Sequence, residues 1–72
     1  MREIMNLMVG SKLKSLRKQK GWTQEEVAIL LSISQSAYAR IENGDSNSWG
    51  SHLKRICKIY EITPEELVKE EE

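Results

Sequence analysis

The sequence has no phenylalanine, one proline, one cysteine and one histidine. Cys57 alone cannot close an internal disulfide, which fits a reducing cytoplasm, and the expected location is cytoplasmic. His52 and Cys57 together cannot build a zinc site, so no metal and no cofactor are expected. No apolar run approaches the roughly 18 residues of a membrane span. The first residues mix Arg2 with Glu3, Asn6 and Gly10 and have no sustained apolar stretch, unlike a signal peptide. Net charge is also missing: 11 Lys and Arg balance 11 Asp and Glu. Read alone, that balance argues against a nucleic-acid binder. Its placement is uneven, however. Residues 1–58 hold ten basic and five acidic residues, whereas residues 59–72 hold one basic and six acidic. A field of that shape turns the positive side towards a polyanion while the far end repels it.

Strand signals are nearly absent, and helix signals recur. Three times an apolar residue precedes Ser or Thr and another apolar residue follows four positions later: Trp22-Thr23 with Val27, Ile33-Ser34 with Tyr38, and Ile62-Thr63 with Leu67. The hydroxyl accepts from an otherwise unpaired N–H of the first turn, and the two apolar groups clamp across it. Thr23-x-x-Glu26 and Thr63-x-x-Glu66 are full capping boxes, and Pro64 stands where its missing N–H costs nothing. At the third cap Ala37 holds the acidic position, which weakens it. Gly21 and Gly44 read as stops after polar last turns. The expected helices are about 10–20, 24–31, 35–43, about 49–60 capped by Ser48, and 64–69. The fold class is all-α, five helices around one core. The expected domain runs from 9 to 69, between an N-terminal extension at 1–8 and an acidic tail at 70–72.

Apolar residues spaced by three and four support this. They are Leu13 and Leu16; Val27, Ala28 and Leu31; Tyr38 and Ile41; and Leu53, Ile56, Cys57 and Tyr60. Cys57 is expected in the core. Ile29 and Leu30 break the pattern and make the second helix apolar around much of its girth, leaving a patch unless something covers it. Ile4, Leu7 and Met8 could cover it within the chain or across a dimer, or residues 1–9 could be a frayed leader.

The informative segment is residues 23–44. Two caps eleven residues apart, a three-residue turn Ser32-Ile33-Ser34, and small Ala28 on the inner face form a helix-turn-helix, whose second helix protrudes to enter a DNA major groove. The chain also resembles the phage-repressor-like class of helix-turn-helix regulators (Cro/C1-type, XRE-like). The matching residues are Leu13, Leu16-Arg17, Gly21, Thr23–Ala28, Ile33–Ser36, Arg40–Gly44 and Ile62–Leu67. The resemblance implies a compact lambda-repressor-like DNA-binding domain and a homodimer on a palindromic operator in double-stranded DNA. It also implies that Gln24 touches phosphate and can brace the first recognition-helix residue. Further, it implies that Gln35, Ser36 and Arg40 face the groove and that Ser34 and Asn43 touch phosphate.

The residue chemistry agrees with those roles. Gln can pair bidentately with adenine and Arg with guanine, while Ala37 and Ala39 offer apolar contact to a thymine methyl. Arg40 has a competing role in an ion pair with Glu42 or Asp45. Glu42 suits a structural bond to Arg17 or nearby backbone better than a DNA contact. The basic set Lys12, Lys14, Arg17, Lys18 and Lys20 reads as a solvated face with one or two members in reach of phosphate. His52, Lys54 and Arg55 suit the surface, and Trp49 suits packing, a dimer contact or a phosphate edge.

Where the family usually has glycine in the turn this chain has Ser32, and the proline common before the fourth helix is absent. The expected function is sequence-specific transcriptional regulation without a sensor domain or small-molecule ligand. The alternative is an antitoxin-like module holding a protein partner on the apolar helix-2 face. An enzyme is poorly supported, because His52 has no nucleophile at a recognisable spacing and no phosphate loop exists.

Overall fold

A computed structural model describes residues 2–69, with side chains from residue 4 onwards; the acidic tail at 70–72 lies outside the described residues. Five helices follow in order: α1 (Arg2–Lys20), α2 (Gln24–Leu31), α3 (Gln35–Glu42), α4 (Leu53–Tyr60) and α5 (Pro64–Val68), and a 3-10 turn (Ser48–His52) leads into α4. No strand occurs among the described residues.

The caps lie where the hydroxyls require them. Thr23 and Thr63 each accept from the N–H three residues on, at 3.1 Å, and Glu26 and Glu66 return the bond at 2.8 Å. Ser34 accepts from Ala37 N at 3.1 Å, with no acidic partner to complete the box. Two expectations about helix starts fail. Helix α1 begins at Arg2, not near residue 10. Its buried stripe continues backwards from Leu13 through Val9 and Asn6, at helical spacing. Ser48 does not cap α4: its Oγ accepts from Ser46 Oγ at 2.9 Å, and the chain enters α4 through the 3-10 turn.

The core gathers Val9 and Leu13 from α1, Val27, Ala28 and Leu31 from α2, Tyr38 and Ile41 from α3, Ile56 and Tyr60 from α4, and Leu67 from α5. Leu16, Trp22, Ile33, Leu53 and Ile62 pack against it, half-buried. Cys57 is half-buried rather than in the core, since α4 turns Ile56 and Tyr60 inward. Burial and the carboxylates of Glu65 and Glu66 push its thiol pKa up. Trp49 packs: it lies against the core, and its indole N–H donates to Asn6 Oδ1 at 2.9 Å. Trp22 lies 5.8 Å from the Tyr60 ring, tilted by 38°, with the Lys20 ammonium 5.8 Å from its own centroid.

Gly10 fixes how α1 crosses α3. A Cβ there would meet the carbonyl oxygens of Ile41 and Glu42, so only glycine lets the two backbones approach this closely. At the far side of the same contact, Gly44 has φ +79° and lies under Leu7.

Candidate nucleic-acid interface

Helices α2 and α3 are joined by the tight turn the spacing requires. Ser32 closes α2 in the left-handed conformation, φ 61°, ψ 39°, which a side chain adopts at some strain. The Ile33 N–H bonds back to Ala28 O at 3.0 Å, and Ser34 then caps α3. Arg55 Nη1 donates to Leu31 O at 3.1 Å, satisfying a carbonyl at the end of α2. Arg55 thereby has a structural bond, in keeping with the surface role expected for it.

Helix α3 is two-sided. Tyr38, Ile41 and Glu42 are buried, while Ser34, Gln35, Ser36, Arg40 and Asn43 are exposed, with Ala37 and Ala39 half-buried between them. Arg40 carries no ion pair to Glu42 or Asp45; its guanidinium has no partner among the described residues. Asn43 ends the helix, its N–H bonded to Ala39 O at 3.0 Å. Ser34 Oγ and Ser36 Oγ stand 3.5 Å apart. The structure thus brings Gln35, Ser36, Ala39 and Arg40 together on the outer side of α3, with Ser34 and Asn43 at its two caps.

Gln24, at the first position of α2, is half-buried. It does not brace Gln35; its Nε2 donates to Glu42 Oε1 at 3.0 Å. Beneath it lies a network that connects three helices. Arg17 Nε donates to Glu42 Oε2 at 2.7 Å and Nη2 to Oε1 at 3.2 Å, while Nη1 reaches Trp22 O at 2.9 Å. Burial alone would raise the Glu42 pKa. Hydrogen bonds from Arg17, Gln24 and Tyr38 outweigh it and hold the carboxyl below its usual range. The bond to Glu42 raises the Arg17 pKa in turn. The Tyr38 and Tyr60 hydroxyls share a buried bond of 2.9 Å. Burial first, and then that bond, moves the Tyr38 hydroxyl far up, and burial pushes Tyr60 up to about 12. Both stay neutral, which leaves Glu42 as the anion that Arg17 meets.

Arg17 is therefore not part of the solvated basic face. Of the others, Lys20 lies 3.3 Å from Glu61, and Lys12 Nζ donates to Glu66 O at 3.0 Å. Ile29 and Leu30 remain 70% and 46% exposed. Ile4, Leu7 and Met8 do not cover them within the chain. Leu7 lies over Gly44, and Met8 lines a groove of about 560 Å³ between α1 and α5.

A family model described as helix-turn-helix matches residues 13–67. The chain belongs to that helix-turn-helix family. It is the Cro/C1-type, XRE-like group of DNA-binding transcriptional regulators that the sequence resembles. Curated relatives of this helix-turn-helix chain include the antitoxin PezA of Streptococcus pneumoniae, 34% identical over 64 residues, covering 89% of this chain and 40% of the relative. The HTH-type transcriptional regulator DicA of Escherichia coli is 32% identical over 62 residues, 86% of this chain and 46% of the relative. The HTH-type transcriptional regulator AnsR of Bacillus subtilis is 34% identical over 67 residues, 93% of this chain and 55% of the relative. The chain therefore spans between 40% and 55% of these relatives' lengths. No helix among the described residues is long and apolar enough to cross a membrane.

Proposed function

We propose that this helix-turn-helix chain is a cytoplasmic, non-enzymatic transcriptional regulator that binds double-stranded DNA as a homodimer. In this reading α3 enters the major groove of each half of a palindromic operator, and no cofactor or small-molecule ligand takes part. The observation that carries it is the two-sidedness of α3. Its inner face is anchored through Tyr38, Ile41 and Glu42, while Gln35, Ser36 and an unpaired Arg40 face out. An arginine with no internal partner on an otherwise uncharged outer face is free to give a bidentate bond to guanine O6 and N7. Gln35 reads adenine, and Ala39 meets a thymine methyl.

Phosphates set the register. The first N–H groups of α2 and α3 have no intrahelical partner and point at anions, beside Gln24 and Ser34 at one end of the unit and Asn43 at the other. Two copies place their α3 helices about 34 Å apart, one turn of the duplex. Binding then occludes or recruits polymerase. With equal numbers of basic and acidic residues, nonspecific affinity is modest and the salt slope shallow.

Arg40→Ala and Gln35→Ala should each weaken binding to the cognate duplex by about 1–3 kcal/mol and relax preference at one base pair. Gel shifts on a series of single-base operator variants measure both. Unchanged affinity and unchanged base preference in both variants would remove these residues from the interface.

A second reading rests on Ile29 and Leu30, whose exposure on α2 suits a protein partner. One relative carries the name antitoxin. In that reading the α2 face holds a partner protein and DNA binding is secondary. A stoichiometric protein co-purified from the native host, released by Ile29→Lys, would favour it.

A further inference from the structure

Helix α1 has two faces. Asn6, Val9 and Leu13 point inward and are at most 8% exposed. On the opposite face Ile4, Met8, Ser11 and Ser15 follow one another at spacings of four, three and four. That is the spacing of a seam that meets another helix. Among the described residues the seam stays uncovered: Ile4 is 62% exposed and its neighbour Leu7 55%, Ser11 and Ser15 are exposed, and Met8 is half-buried. The first turns of α1 are nonetheless built into the fold. Asn6 holds the Trp49 indole at 2.9 Å, and Leu7 packs on Gly44. An apolar surface held out in this way marks a contact.

The seam is graded in size. Its first half carries the large Ile4 and Met8, its second half the small Ser11 and Ser15. Beside the small residues the surface falls away into the groove of about 560 Å³ between α1 and α5, whose lining includes Leu16 and Ile62. A second α1 running antiparallel, related by a two-fold axis between Met8 and Ser11, sets Ile4 against Ser15 and Met8 against Ser11. The two-fold repeats both pairings in the other direction. Every layer then joins one large side chain to one small one, and the groove is filled. A parallel pairing sets serine against serine and leaves the groove empty. A stable interface takes about 600–1,000 Å² from each copy. Helix α1, 19 residues long, offers with α5 beside it one full side of a body measuring 29 × 22 × 19 Å, which is of that order.

We propose that this seam joins the homodimer, two copies packing α1 against α1 in antiparallel. The inference rests on the homodimeric DNA-binding reading above and deepens it by naming the surface that pairs the copies. The seam leaves α3 free. Gly10 and Leu7 lie on one flank of it, against α3 and Gly44, and the α5 groove lies on the other. Gly10 is also level with the two-fold axis, so rotation about that axis keeps both α3 helices on one side of the dimer. Helix separations of about 8–10 Å at the seam, and again from each α1 to its α3, set the crossed ends of the two α3 helices up to about 30 Å apart. Since α3 is itself about 12 Å long, its centres come within reach of the roughly 34 Å of one duplex turn.

The test is disulfide trapping on the full chain in a Cys57→Ser background. Under mild oxidation the double variant Ile4→Cys, Ser15→Cys should form a covalent dimer as its main species, and either single variant about tenfold less. Within one chain these positions lie about 16 Å apart along the helix, beyond the roughly 7 Å that a disulfide tolerates, so the bond joins two copies. Both positions are exposed, so the substitutions leave the fold intact. A double variant that cross-links no better than the single ones overturns the proposal.

Light scattering without DNA gives an independent measure. The unmodified chain should be dimeric in the high-micromolar range. Ile4→Lys should raise the dimer dissociation constant at least about tenfold, and Ile29→Lys should leave it unchanged. A monomeric unmodified chain, or a dimer that Ile29→Lys dissociates and Ile4→Lys does not, overturns the proposal. The two readings fail separately. If the trapped dimer forms while Arg40→Ala and Gln35→Ala leave DNA binding unchanged, the interface stands and the DNA-binding reading fails. If a palindrome is selected while the cysteines do not cross-link, the interface fails and that reading stands.

Discussion

Replacing Arg17 by methionine is expected to destabilise the chain by about 3–5 kcal/mol, enough to leave a domain of this size close to unfolding. The loss comes less from the ion pair than from what it leaves behind. Glu42 is buried, and without Arg17 its carboxylate keeps only the bonds from Gln24 and Tyr38 against the desolvation of a charge. The sign with pH follows. In the intact chain the Glu42 carboxyl titrates below its usual range, so its stabilisation is complete above the ordinary carboxylate pKa. It is lost as the pH falls through the lowered folded value. With Arg17 removed, burial dominates, the Glu42 pKa moves up, and protonation relieves the penalty. The gap between the two proteins should therefore narrow on acidification. Urea unfolding at neutral pH and in the acid range measures this. A gap under about 1 kcal/mol at neutral pH would mean the pair acts as an exposed one.

The second large effect is expected at Gly10. In most helix interiors, Gly→Ala is a gain of up to about 1 kcal/mol. Here the added Cβ would stand 2.5 Å from Ile41 O and closer still to Glu42 O, both rigid backbone. Gly10→Ala should therefore destabilise, by about 1–3 kcal/mol, and Gly10→Val by more. The same displacement moves the end of α3 that carries Glu42. Gly50→Ala is the control: nothing lies within 4 Å of its added Cβ, so it should be nearly neutral. Thermal unfolding of the three variants checks the order. Equal melting temperatures for Gly10→Ala and Gly50→Ala would show that α1 can slide off α3 without loss.

Gly10 also marks where the sequence misleads. The first helix was expected to begin at about residue 10, where α1 is already in its third turn. The actual role of Gly10 depends on a backbone 31 residues away in the chain, which no local pattern encodes. The signal for the longer helix was present in the spacing of Asn6, Val9 and Leu13, each three or four residues from the next. Local chemistry was easy to read: Thr23, Ser34 and Thr63 cap the helices they precede, because hydroxyl and N–H meet within one turn. The stops at Gly21 and Gly44 were legible for the same reason, both having positive φ. Glu61 was not: it also ends a helix left-handed, with no glycine to announce it.

The site divides in the same way. The outward set on α3 follows from helical period and one buried face. The Arg17–Glu42 bond could be anticipated as one of two structural roles for that glutamate. The Gln24–Glu42 bond, 18 residues apart, and the Tyr38–Tyr60 bond, 22 apart, could not. A buried phenol always demands a partner, but only the fold says which. The Ile29 and Leu30 patch was visible in the sequence, and the structure leaves it open rather than covering it with the first turns of α1.

The central claim is that α3 reads DNA in two symmetric copies. In-vitro selection of bound duplexes from a random pool, with the intact chain at low salt, tests it most directly. The account predicts an enriched palindrome whose half-sites lie about 10–10.5 base pairs apart, centre to centre. Retention of the pool with no enriched sequence would contradict it.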